Sequence, residues 1–347
     1  MGPEVPPAPV GASAELVEVL AAAGEGGGMS GVPVPSDAAG WRELVAAVDG
    51  PLADEVRGMV EALPVSVEAG EVAGVPVWWV TPDEVAGGRE GQLFVHVHGG
   101  GYVLGGGLAA AAEAVLVAVE VGVEAVSIDY RMPPDHPFPA AVDDVMAVWG
   151  ALLGERRAGA MWMGGTSAGG GLTVNAVQRC VREGVEVPGA AFVGTPGTDL
   201  SLVGDSLHTN RGVDRSIPTL EGMLEAMFHL YADGRELNDP LISGIYGDFG
   251  GFPPTLLVTG TRDLFLSNTV RAHIKIRQAG GVADLLVYEG MSHGDYLHEV
   301  GTPEGQHFME EVGRFLDAHL ERPRRSGVPR VMHASSASQL RGVVGEA

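Results

Sequence analysis

The feature that most restricts this chain is five residues long. Gly165-Thr166-Ser167-Ala168-Gly169 follows a short apolar strand pattern, Met161 to Met163, and leads into a helical pattern that starts at Gly170. A strand that turns straight into a helix about a serine brings two backbones together. The residues two before and two after must then be very small, and Gly165 and Gly169 meet that condition. Such a turn lifts the Ser167 hydroxyl above the sheet and aims a helix amino terminus at it. The pentapeptide by itself says little in a chain with 53 glycines; its strand-to-helix setting gives it weight.

The rest of the sequence supplies a sheet for that turn. Apolar, β-branched runs at Val65–Val67, Val75–Val80, Leu93–Val97, Ala125–Ile128, Met161–Met163, Ala190–Val193, Thr255–Val258 and Leu285–Val287 are separated by helical patterns at Leu108–Val119, Ala140–Leu153, Gly170–Glu183, Asn268–Ala279 and Pro303–His319. This alternation predicts an α/β fold with a mostly parallel sheet covered by helices on both faces. Residues 64–204 and 240–322 form the expected core. Ahead of it, residues 1–40 are rich in Gly, Pro and Ala and read as a mobile leader around one short helix, Ala14–Ala23. From Trp41 to Leu63 apolar residues recur at three- and four-residue steps and predict two amphipathic cap helices broken at Pro51. Over 205–239 the alternation lapses around a helical patch, Thr219–Tyr231, where an insertion capping the site is expected. Residues 323–347 read as a tail outside the fold.

A serine hydroxyl is a weak nucleophile. It needs a neutral imidazole to take its proton and a carboxylate to hold that imidazole in the right tautomer. The strand pattern Thr255–Val258 runs into Gly260-Thr261-Arg262-Asp263, and the next, Leu285–Val287, runs into Gly290-Met291-Ser292-His293. Asp263 and His293 are therefore the candidate acid and base, at the same sheet edge as Ser167. Asp199 also follows a strand and Asp295 lies beside the histidine, so both compete with Asp263. His208, His229, His273, His298, His307 and His319 lie in the insertion or on helical patterns and follow no strand. Earlier in the chain, His98-Gly99-Gly100-Gly101-Tyr102 follows Leu93–Val97 directly. Consecutive glycines let main-chain N–H groups approach a substrate oxygen, and Gly99, Gly100 and Ala168 are the candidate oxyanion donors. No lysine follows in a phosphate-loop pattern, and His98 reads as a brace for the loop. Asp129, Asp143 and Asp144 read as structural.

Composition narrows the partners. The formal charge is −24, from 45 acidic against 21 basic residues, and Lys275 is the only lysine. Such a chain repels phosphate backbones and anionic lipid, so neither nucleic acid nor a membrane is an expected partner. The one dense basic cluster, Arg322 to Arg325, reads as a solvated linker. A single cysteine, Cys180, leaves no internal disulfide, no run of about 20 apolar residues is present, and Glu4, Glu15 and Glu18 interrupt any signal peptide, which together predict a cytoplasmic protein. No His-Glu-x-x-His or clustered ligand pattern suggests a metal.

With these residues placed, the chain resembles the hormone-sensitive-lipase-like, or family IV, bacterial esterases of the α/β-hydrolase superfamily. The likeness spans roughly Val75 to Leu320. It is carried by His98-Gly99-Gly100-Gly101, by Asp129-Tyr130-Arg131 with Pro133-Pro134 and Pro137-Phe138-Pro139-Ala140-Ala141, by the serine turn, and by the late Asp and His. In that family Gly-Asp-Ser-Ala-Gly is the commoner serine turn, and Thr166 makes this chain resemble the smaller Gly-Thr-Ser-Ala-Gly subgroup. The resemblance implies an eight-stranded core, a helical cap, hydrolysis of short-chain acyl esters without cofactor or metal, and homodimers through the last strand. Ser267 and Asn268 depart from the family where a second acidic residue is frequent, as does Asp295 where an aromatic is usual. Amide hydrolysis by the same triad is the nearer alternative activity, and a non-catalytic binding homologue the remoter one.

Overall fold

The computed structural model describes residues 6–22, 29 and 31–322. Its strands are β1 (Val65–Val72), β2 (Val75–Pro82), β3 (Leu93–Val97), β4 (Glu124–Ile128), β5 (Met161–Thr166), β6 (Ala190–Gly194), β7 (Thr255–Gly260) and β8 (Ala283–Tyr288). They form one sheet in the order β1-β2-β4-β3-β5-β6-β7-β8. The β1–β2 and β2–β4 pairs are antiparallel and the remaining five pairs are parallel. Strands β3, β5, β6 and β7 are buried along their whole length, which is why they read as unbroken apolar runs, whereas β8 closes one edge and is exposed or part-exposed after Ala283.

The helices are α1 (Ala14–Ala22), α2 (Ala38–Ala62), α3 (Ala112–Val121), α4 (Ala140–Leu153), α5 (Ala168–Glu183), α6 (Ser206–Thr209), α7 (Met223–Ala232), α8 (Leu266–Gln278), α9 (Asp295–His298) and α10 (Pro303–His319). One apolar core places α3 and α10 against β3, β5, β6 and β7 through Phe94, Trp162, Phe192, Phe308 and Phe315; Phe94 and Trp162 stack with centroids 3.8 Å apart. A second core gathers α4 and the start of α5 around Trp149, Met163 and Leu172. Cys180 is buried within it, and burial pushes its thiol up to about 11.

Two expectations need correction. Pro51 does not split the cap helices: α2 runs unbroken from Ala38 to Ala62 with the proline inside. A proline removes one helical hydrogen bond, and here tethers on both halves outweigh it. Asp37 accepts the Gly40 N–H at 2.9 Å to cap the helix. The Asp49 carboxylate accepts the N–H groups of Gly105 and Gly106 at 2.7 and 3.0 Å, and Val56 is buried in the core. Nor do residues 6–22 behave as part of a mobile leader. Leu16 is fully buried, the Ser13 N–H and hydroxyl both donate to the Glu304 carboxylate at 2.7 Å, and Arg262 donates to the Pro6 and Pro7 carbonyls at 3.0 and 2.8 Å. The expected tail, 323–347, lies outside the described residues, and with it most of the basic cluster at Arg322 to Arg325. Among the described residues no helix is long and apolar enough to cross a membrane.

Candidate active site

Ser167 sits between the last residue of β5 and the first of α5, half-buried, with φ +62° and ψ −120°. A non-glycine residue in that region is strained and persists only where its surroundings hold it. They do so here through the Ser167 N–H, which donates to the Gly194 carbonyl at 2.9 Å. The Ser167 carbonyl in turn accepts from Gly171 and Gly197 at 3.1 and 2.9 Å. A Cβ at either Gly165 or Gly169 would run into the Val97 carbonyl oxygen, so the flanking glycines are the price of the turn. Because α5 begins at Ala168, that residue's N–H is one of the helix's unpaired amino-terminal donors.

The glycine loop borders this turn. A Cβ on Gly99 would lie 2.9 Å from the Thr166 carbonyl oxygen and 3.5 Å from Ser167 Cβ, and Gly100 adopts φ +107° against the Leu104 carbonyl. His98 braces the loop as expected: Nδ1–H donates to the Gly99 carbonyl at 2.7 Å, and the ring stacks on Tyr130 at 4.0 Å. The Tyr130 hydroxyl donates to the His98 carbonyl at 2.7 Å. Burial drives the His98 pKa down to about 3, so the ring stays neutral.

Asp263 and His293 leave the carboxyl ends of neighbouring strands β7 and β8 and meet. Asp263 Oδ1 lies 3.0 Å from His293 Nδ1. Asp263 has no exposure and accepts two further bonds, from the Phe265 N–H at 2.8 Å and the Thr259 hydroxyl at 2.6 Å. Burial alone would lower the His293 pKa. The Asp263 charge and hydrogen bond, with Asp214 and Asp295 beyond, outweigh burial and hold it above 6.5. His293 Nε2 is buried without a hydrogen-bond partner, so Asp263 and His293 are joined while His293 and Ser167 are not. Such bonds are often long in resting sites.

The rivals of Asp263 are engaged elsewhere. Asp199 pairs with Arg271 at 2.6 Å and accepts from Ser201. Asp295 receives Arg215 at 3.0 Å and the Ser292 N–H at 2.7 Å, which ties down the histidine loop. Asp144 holds Arg131 at 2.7 Å, Asp143 contacts Arg179, and Asp129 accepts the Gly107 N–H at 2.9 Å, all structural as expected.

Two sets of residues near the site escaped the sequence reading. Beneath the serine turn, buried Glu113 of α3 accepts the Thr166 N–H at 3.2 Å and the Thr166 hydroxyl at 2.8 Å, and lies 3.1 Å from His96 Nε2. The Tyr296 hydroxyl is 2.9 Å from Thr166 Oγ1. Beside Asp263, the residues Ser206, Asn210 and Asp214, spaced four residues apart, all bond to the turn that carries it. Ser206 donates to the Leu264 carbonyl at 2.7 Å, and Asn210 to the carbonyls of Thr261 and Asp263 at 3.1 and 2.8 Å. Asp214 accepts the Leu264 N–H at 2.7 Å. The four-residue polar spacing is the only signal of them in the sequence. The departures at Ser267 and Asn268 belong here too: Ser267 exchanges hydrogen bonds with Ser206, and Asn268 donates to the Asp199 carbonyl at 3.3 Å.

Residues 94–297 match the α/β-hydrolase fold family. An acetyl-hydrolase of Streptomyces hygroscopicus is 30% identical over 239 residues, 69% of this chain and 78% of that protein. A solved esterase, E25, is 48% identical with a TM-score of 0.89, covering 92% of this chain and 98% of that one. A solved esterase of the bacterial hormone-sensitive lipase family is 28% identical, with a TM-score of 0.70 over 78% of this chain and 99% of that one. The chain therefore belongs to the α/β-hydrolase family and, within it, to the hormone-sensitive-lipase-like esterases.

Proposed function

We propose that this protein is a carboxylesterase that hydrolyses short-chain acyl esters, with Ser167 as nucleophile, His293 as general base and Asp263 as the acid behind it. The observation that carries the reading is the buried Asp263–His293 pair with its free Nε2, on loops that follow the carboxyl ends of strands parallel to the one that ends in the serine turn. Names of relatives support the bond type: acetyl-hydrolase, carboxylic ester hydrolase and esterase.

In the first step Ser167 Oγ attacks the ester carbonyl as its proton passes to His293 Nε2. The Asp263 carboxylate stabilises the imidazolium without taking its proton. The carbonyl oxygen becomes an oxyanion that the N–H groups of Gly99, Gly100 and Ala168 would hold. His293 returns the proton to the departing alcohol, leaving an acyl-serine. Water then attacks the acyl carbon, its proton goes to His293 and on to Ser167, and the carboxylic acid is released.

The preference for a short acyl group rests on the cap, which we assign to residues 41–63 and 205–239. Helix α7 lies close over the glycine loop, so that a Cβ on Gly101 would run into the Met227 methyl and come within 3.2 Å of Leu224. Trp41, Val103, Leu104, Met223 and Met227 pack as one cluster there. Turnover of p-nitrophenyl esters from acetate to palmitate tests the reading. Activity is expected to peak at acetate to butyrate and fall steeply for longer chains; no ester turnover, with turnover of anilides instead, would make the protein an amidase.

A further inference from the structure

The insertion does more than cover the site. We infer that Ser206, Asn210 and Asp214 form a clamp that holds the Asp263 and His293 loops in register, with Asp214 a second carboxylate bearing on the His293 imidazole. This rests on the triad reading above and deepens it.

The geometry is specific. Asn210 spends both amide protons on carbonyls either side of the acid's turn, at Thr261 and Asp263. Asp214 reaches both loops, through Oδ2 to the Leu264 N–H at 2.7 Å and through Oδ1, at a long 3.5 Å, to the His293 N–H. The same Oδ1 accepts from Ser216 and Ile217 at 2.9 Å each, so the carboxylate is fixed in its own loop as well. Asp214 is 1% exposed and, among the described residues, has no arginine or lysine bonded to it. Its neighbour Arg215 is committed to Asp295 and Glu299. Main-chain N–H groups satisfy its oxygens without neutralising its charge, so an ionised Asp214 acts on the groups around it.

The charges that bear on His293 are therefore Asp263 from the β7 loop, Asp295 from α9 and Asp214 from the insertion. Burial raises the Asp214 pKa to about 6, with the His293 imidazolium opposing that rise and Asp263 adding to it. Ionised Asp214 favours the imidazolium that forms as Ser167 attacks. Asp214 is a positioning residue in this account, acting on the reaction through His293.

The test is the titration of the His293 imidazole by nuclear magnetic resonance in the full-length protein, assigned against His293→Gln, for wild type, Asp214→Asn and Asp214→Glu. The His293 pKa is expected to fall in the Asn variant and to stay near the wild-type value in the Glu variant. The acid limb of kcat/KM on p-nitrophenyl acetate should shift to lower pH with it, kcat falling about tenfold while KM holds. Should Asp214→Asn fail to fold, Asp214→Ser keeps an acceptor oxygen without charge and takes its place. An unmoved His293 titration in a folded, uncharged variant overturns the inference, and so do equal shifts in the Asn and Glu variants. Because the titration needs no turnover, a His293 pKa that falls in a protein without esterase activity would sink the proposed reaction and leave the clamp standing.

Discussion

Asp263 Oδ1 and His293 Nδ1 lie 3.0 Å apart, although the two residues are 30 positions apart on loops from different strands. The register of β7 against β8, with Gly260 opposite Tyr288, is what brings the loops level. Two other donors, the Thr259 hydroxyl and the Phe265 N–H, occupy the rest of the carboxylate. All three contacts require an acceptor, and only a carboxylate offers acceptors on both oxygens.

Asp263→Asn therefore turns an acceptor into a donor facing donors. The imidazole is expected to flip to the tautomer that carries its proton on Nε2 and cannot serve as base. By analogy with the serine protease triad, kcat should fall about 10,000-fold while circular dichroism stays native. Steady-state kinetics on p-nitrophenyl acetate measures this, and near-normal turnover would move the acid's role to another carboxylate.

Activity should rise with pH along a single acid limb. As the proposed base, His293 works only when neutral, and although burial lowers its pKa, Asp263, Asp214 and Asp295 together hold it above 6.5. The expected profile of kcat/KM is low on the acid side, with its midpoint above 6.5 and a plateau at higher pH. A midpoint below 6.5 would mean that burial wins over the three carboxylates.

Thr166 is tuned to Glu113. An aspartate there would face the buried Glu113 carboxylate where Thr166 now donates its hydroxyl at 2.8 Å. Thr166→Asp is expected to lower stability by about 3 kcal/mol, the scale of a buried group losing its partner and meeting a like charge. In a Glu113→Gln background the same change should do much less harm. Denaturant unfolding of the four proteins gives the coupling, and additive effects would show that the two positions do not interact.

The amino-terminal segment contributes to the fold. Leu16 is fully buried among core residues that include Met291, Tyr296 and Phe308. Leu16→Ala should cost about 2–4 kcal/mol by emptying that space, read as a lower midpoint in urea; a change under about 0.5 kcal/mol would mean the segment is merely laid on the surface.

The inner parallel strands β3 to β7 were legible in the sequence because such strands are apolar almost throughout, and the helices between them because their patterns separate those runs. The serine turn was legible for a steric reason, since two main chains cannot pass at Gly165 and Gly169 with any side chain present. What the sequence concealed depends on long-range contacts with no local period. The unbroken α2 rests on Asp49 finding Gly105 and Gly106, and the docking of residues 6–22 on Ser13 finding Glu304. Local reading sees a proline and a Gly-rich stretch and stops there. Glu113 was hidden for a related reason. It is one of two acidic residues in the apolar helix α3, and it looks like a surface position until Thr166 is seen to donate to it.

Covalent labelling tests the proposed role of Ser167 most directly. The protein is treated with a fluorophosphonate ester, digested, and mapped by mass spectrometry alongside Ser167→Ala. One adduct per chain on the peptide containing Ser167, with esterase activity lost in step and no adduct on the variant, is the expected result. Labelling at another residue, or ester hydrolysis that survives in Ser167→Ala, would contradict it.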